Sequence, residues 1–231
     1  MITIQALNKT IGAKDILRGI HLNISHGETI GILGPNGAGK STILKIIAGL
    51  VKPSSGIVEI DSLNFKEHDL EVKKKIGFLA HNSYLYDHFS PMENLKLFGQ
   101  LYKVENCEEK AKELIREVGL TFFMHEPVRS FSRGMIQRLA IARAIIHEPQ
   151  ILILDEPHTG LDQQAVKLLN DVILKMKDKG TTILMVTHDF AQTVKTCDRI
   201  LIMKHGMIVD DFQVKERNSD YIYEKYSGQV G

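Results

Sequence analysis

An α/β fold with a mainly parallel central sheet is predicted for this 231-residue chain by three observations. TIGIL at residues 29–33, ILILD at 151–155 and TILMVTH at 182–188 are continuous apolar runs, the pattern of strands covered on both faces. Segments of helical length separate these runs. The first run enters a glycine-rich turn that opens directly onto a helical pattern, giving a strand–turn–helix unit.

The remaining elements follow in chain order. Residues 1–25 alternate apolar and polar side chains in short bursts (ITIQAL, ILRGIHLNI), and GIVEID at 56–61 does the same, so these are strands with one buried face and candidates for antiparallel pairing. A strand is expected over 76–79, IGFL. A helix-rich stretch runs from about 91 to 126; within it, 107–118 is charged and amphipathic, with Leu114, Ile115 and Val118 on one face and a solvated face opposite. RILIMKHGMIVDD reads as a hairpin around His205 and Gly206. The polar tail from about 216 to 231 carries no pattern.

With 43% hydrophobic residues the chain can bury a full core, and one domain over 1–231 is expected. Lysine plus arginine (29) nearly balance aspartate plus glutamate (28), which argues against a nucleic-acid backbone as the main partner. No apolar run of about 18 residues and no charged, apolar, small-residue leader occurs, so the expectation is a cytoplasmic protein that neither spans a membrane nor is secreted. Cys107 and Cys197 are expected as reduced thiols, and the histidines show no zinc-ligand spacing.

The glycine-rich turn holds the chemistry. Gly34, Gly39, Lys40 and Ser41 fit GxxxxGK[ST], the P-loop pattern, in the segment Gly34, Pro35, Asn36, Gly37, Ala38, Gly39, Lys40, Ser41, Thr42. A phosphate cradle needs converging backbone N–H groups, glycines for close approach and a helix N-terminus that favours negative charge. Lys40 is expected to reach the β and γ phosphates, Ser41 to place its hydroxyl on Mg²⁺, and Thr42 to lie near an α phosphate. Asp155 and Glu156 end the run ILILDEP, where a strand delivers two carboxylates to the sheet edge. Asp155 suits a water-mediated Mg²⁺ contact, and Glu156 suits polarisation of the water that attacks a γ phosphate. His188, after the third central run, is expected to touch that phosphate.

Upstream of ILILDEP, SFSRGMIQRLAIARAIIHEP places Ser132, Gly134, Gln137 and Arg138 as in the LSGGQ signature, and the chain resembles the ATP-binding cassette (ABC) ATPases. TGLD, ending at Asp162, resembles the family's D-loop, and His188 in VTHD resembles its switch histidine. The resemblance covers nearly the whole chain. It implies a P-loop NTPase of ABC ATPase type: a RecA-like, mainly parallel core sheet, an antiparallel β subdomain and a helical subdomain over roughly 83–135. It also implies ATP and Mg²⁺ as cofactors, and two copies meeting head to tail around ATP. Ser132, Arg133, Gly134 and Met135 of one copy would then serve the nucleotide on the P-loop of the other. Transmembrane permease subunits would hold the chain peripherally at the cytoplasmic face of the inner membrane.

Departures from the family pattern are specific. His81 stands where a glutamine usually couples the nucleotide to the permease. Phe131, Arg133 and Met135 replace leucine, glycine and glutamine of the signature, and Ile11 occupies the place of an adenine-stacking aromatic. FLAHNSYLYDH, VRSFSRGMIQR and DEPHTGLD together resemble the CcmA-type haem exporter ATPases of cytochrome c maturation. The resemblance thus implies an ATP-hydrolysing transporter subunit in haem handling. The alternatives are a drug or lipid exporter subunit and a soluble, non-transport ABC ATPase.

Overall fold

A computed structural model describes residues 1–80, 82–214 and 219–230. In chain order the elements are β1 (Ile2–Ile11), β2 (Lys14–Ile24), β3 (Thr29–Leu33), α1 (Lys40–Ile47), β4 (Ser55–Ile60), β5 (Leu63–Asn64), α2 (Phe65–Lys74) and β6 (Ile76–Leu79). The second half contributes α3 (Pro91–Leu101), α4 (Cys107–Glu117), two single 3₁₀ turns, α5 (Arg133–Ile145), β7 (Ile151–Asp155), α6 (Gln163–Asp178), β8 (Thr182–Val186), α7 (Phe190–Thr196), β9 (Arg199–Lys204), β10 (Met207–Gln213) and α8 (Ser219–Val230).

Two sheets form. The first has the order β2-β1-β4-β5 and is antiparallel, as the alternating bursts predict. The second has the order β10-β9-β3-β8-β7-β6 and is parallel except for the β9–β10 hairpin. That hairpin turns on His205 and Gly206, both at positive φ, the geometry whose twist matches the flanking strands.

The period of two in the parallel strands explains their unbroken hydrophobicity. Leu152, Leu154, Ile183 and Met185 face a cluster built with α4, α5 and α6, whereas Ile151, Ile153, Leu184 and Val186 face the opposite cluster of α1 and the antiparallel sheet. Each strand is therefore clad on both sides, and a polar residue on either face would be buried.

The helix-rich stretch is specified locally. Ser90 caps α3, its hydroxyl accepting from the Glu93 amide while the Glu93 carboxylate accepts from the Ser90 amide, and Pro91 occupies the first turn. Fully buried Asn94 then ties down the preceding loop by accepting from the Tyr86 amide at 2.8 Å and donating to the Tyr86 carbonyl at 3.1 Å. In α4, Ala111, Leu114 and Ile115 are buried, the apolar face expected from the sequence.

α5 begins at Arg133, with the Ser132 hydroxyl accepting from the Met135 amide as its cap. One local reading is corrected. The patternless tail contains α8, whose Ile222 is fully buried against Leu33, Val194, Ile200 and Ile202. Phe190 meets the rings of Tyr223 and Tyr226 edge-on at 5.7 and 5.2 Å. Ile222→Ala is expected to cost about 2–5 kcal/mol by opening a cavity there. Urea unfolding reads this as a lowered midpoint, and an unchanged midpoint would contradict the docking of α8.

Both cysteines are free thiols, and burial pushes the Cys197 thiol up to about 12. Among the described residues, no helix is long and apolar enough to cross a membrane.

Candidate active site

The strand order gathers the motifs. β8 lies between β3 and β7, and all three run parallel, so the segments leaving their C-terminal ends open at one edge of the sheet. These segments are the P-loop after β3, Asp155 and Glu156 at the end of β7, and His188 after β8.

β3 is buried throughout and delivers the chain into residues 34–39. Gly39 is the N-cap of α1 at φ 99, where a Cβ would sit 2.7 Å from Leu17 Cδ2 and 2.9 Å from the Ile16 carbonyl oxygen. Only glycine fits there without displacing backbone. A glycine cap also brings no side-chain oxygen, which leaves the first-turn amides of α1 to an anion. A Cβ on Gly34 would collide with the Met203 carbonyl. Pro35 is half-buried, Asn36 and Gly37 are exposed, Ala38 is buried, and Thr42 is half-buried in the first turn of α1.

Lys40 is 6% exposed, which is unusual for a lysine, and its ammonium donates to the Gly34 carbonyl at 2.7 Å and the Pro35 carbonyl at 2.9 Å. A buried ammonium requires acceptors, and these two loop carbonyls supply them. Burial lowers its pKa, and the charges of Glu156 and Asp155 oppose that shift.

Ser41 and Asp155 come together: the hydroxyl donates to Asp155 Oδ1 at 3.0 Å. Asp155 is 6% exposed, and desolvation pushes its carboxyl up; the Ser41 hydrogen bond opposes this, while the Glu156 charge adds to it. Next to it, Glu156 adopts φ 52, a left-handed conformation held by its amide donating to the Val186 carbonyl at 2.9 Å. Its Oε1 lies 3.1 Å from His188 Nε2, and its Oε2 accepts from the Thr159 hydroxyl at 3.3 Å. Glu156 and His188, both singled out in the sequence, are thus in direct contact.

The signature residues belong to α5. Ser132 caps that helix, and the Arg133 guanidinium packs on Gly160, where a Cβ would come within 3.0 Å of it. Gln137 donates to the Pro157 carbonyl at 3.0 Å, tying α5 to the loop after β7. Asp162 caps α6 by accepting from the Ala165 amide at 2.8 Å. Ile11, at the end of β1, is 58% exposed. His81 lies outside the described residues. The Thr159 contact and the buried face of His158 were not singled out by sequence reasoning, although both residues stand inside the DEPHTGLD segment.

A phosphate cradle opening onto a helix, a hydroxyl–carboxylate pair beside it and a glutamate–histidine contact at the same sheet edge define a P-loop nucleoside triphosphatase. The family model described as ABC transporter matches residues 17–159. The chain is 40% identical over 226 residues to the ABC transporter ATP-binding protein YdbJ of Bacillus subtilis (strain 168), covering 96% of this chain and 71% of that one. It is 35% identical over 230 residues to the lantibiotic transport ATP-binding protein SrtF of Streptococcus pyogenes, covering 100% and 97% of the two chains. An ATP-binding cassette solved as a dimer in a post-hydrolysis state with ADP and Pi superposes with a TM-score of 0.85 at 30% identity, covering 94% of this chain and all of that one.

The chain belongs to the ABC transporter family, as its ATP-binding and ATP-hydrolysing subunit.

Proposed function

We propose that two copies of this chain bind and hydrolyse ATP between them to drive a membrane exporter. The observation that carries the reading is the convergence of Lys40, Ser41, Asp155, Glu156 and His188 at one sheet edge. In that arrangement the P-loop amides and Lys40 hold the β and γ phosphates, which replace the loop carbonyls as acceptors for the ammonium. Thr42 contacts the α phosphate, and Ile11 offers apolar contact to the base.

Ser41 and Asp155 are hard oxygen donors already in contact, and a buried carboxyl disfavoured by desolvation suits a divalent cation, so the pair fits Mg²⁺. When bound, Mg²⁺ supplies positive charge against the phosphate oxygens. Glu156 polarises the attacking water, and His188 orients Glu156 and contacts the γ phosphate. Ser132, Arg133, Gly134 and Met135 would complete the partner's site, using the N-terminus of α5 as an anion contact; the dimeric state of the solved cassette supports this arrangement. Asp162 and its loop would lie at the junction of the two copies.

Transmembrane permease subunits would hold the pair at the cytoplasmic face of the membrane. His81 and the helical segment over roughly 83–135 would couple the two within a single cassette domain. Export of an amphiphilic antibiotic or lipid is favoured by the likeness to SrtF along the whole chain. Haem handling is favoured by FLAHNSYLYDH, VRSFSRGMIQR and DEPHTGLD, a sequence combination that the named relatives do not speak to. The chain reconstituted with the permease encoded beside its gene separates the two cargoes. Stimulation of ATP hydrolysis by a lantibiotic-type peptide and not by haem is expected, and stimulation by haem alone would reverse the cargo.

A further inference from the structure

Behind the Glu156–His188 contact runs a second connection between the same two loops. His158 stands two residues beyond Glu156, and its Nε2 lies 2.9 Å from Asn170 Oδ1 on α6. The Asn170 amide donates to Gln192 Oε1, 2.5 Å away in the first turn of α7. The Gln192 backbone amide donates to Asp189 Oδ1 at 3.0 Å, and Asp189 is the residue after His188. A chain of four residues therefore begins beside the glutamate and ends beside the histidine, with α6 as its middle support.

With the Asn170 NH₂ donating to Gln192, its oxygen is left to accept, and this pairing takes an Nε2–H from His158. Burial lowers the His158 pKa, which favours the neutral ring. The support matters because Glu156 sits at φ 52, a conformation that a residue with a side chain keeps only where its surroundings impose it.

We infer that His158, Asn170 and Gln192 form a positioning network for ATP hydrolysis, holding the loop of Glu156 and the turn of His188 in register. His158 is a positioning residue, since it acts through the two loops. The inference rests on the proposed roles of Glu156 and His188.

His158→Ala and Asn170→Leu are each expected to lower kcat about 10- to 100-fold, the scale of an ångström-level misplacement, with KM for ATP changed by less than about twofold. His158→Gln, whose amide can donate at a similar reach, is expected to recover to within about threefold of the native rate. In a His188→Ala background, His158→Ala is expected to cost less than it does alone, because one of the two groups that the network positions is already gone. Should His158→Ala fail to fold, Gln192→Ala cuts the chain at its other end and is read in the same way. A native kcat in the single variants, or full additivity with His188→Ala, overturns the network. Native hydrolysis in Glu156→Gln would instead overturn the assignment of Glu156 on which it rests.

Discussion

Glu156→Gln is expected to slow ATP hydrolysis at least about a hundredfold while leaving ATP binding intact. The two carboxylate oxygens face different groups, Oε1 toward His188 at 3.1 Å and Oε2 toward the Thr159 hydroxyl at 3.3 Å. An amide keeps the volume and one acceptor but loses the charge that polarises water. With chemistry stalled and both nucleotides retained, the closed pair should accumulate. Size-exclusion chromatography with ATP and Mg²⁺ would show it as a dimer, and a variant that stays monomeric while hydrolysing at the native rate would contradict the role of Glu156.

Lys40→Ala has the second large effect, on binding itself. Each hydrogen bond to a charged partner contributes about 1.5–3 kcal/mol, so removing an ammonium that faces two phosphates should weaken ATP affinity by at least about tenfold. Ser132→Ala acts elsewhere. Its hydroxyl caps α5, and the loss of a cap costs about 1 kcal/mol of stability without touching the P-loop of its own copy. Monomer affinity should then be near native, and only the closed dimer should weaken. Titration with a fluorescent nucleotide distinguishes the two variants, and equal losses of monomer affinity in both would contradict a site shared between copies.

What was legible in the sequence follows from the range of the forces involved. TIGIL, ILILD and TILMV were readable as central strands because burial on both faces leaves no polar position to obscure the run. The P-loop and the acidic pair were readable because phosphate chemistry demands those residue types at fixed spacing. α8 was missed because Ile222 and Tyr226 are anchored by Leu33, Val194 and Phe190, far away in the chain. The connection from His158 to Asn170 and Gln192 likewise spans three elements and leaves no local pattern.

In the proposed dimer ATP is hydrolysed between two copies, on the P-loop of one and the signature residues of the other. The ATPase rate of an equimolar mixture of Lys40→Ala and Ser132→Arg proteins, each inactive alone, tests this. A head-to-tail pair containing one copy of each has one site built from a native Lys40 and a native Ser132, so the mixture should recover about a quarter of the native rate if the copies exchange at random and the sites work independently. A mixture that stays as inactive as its two components would contradict the shared site.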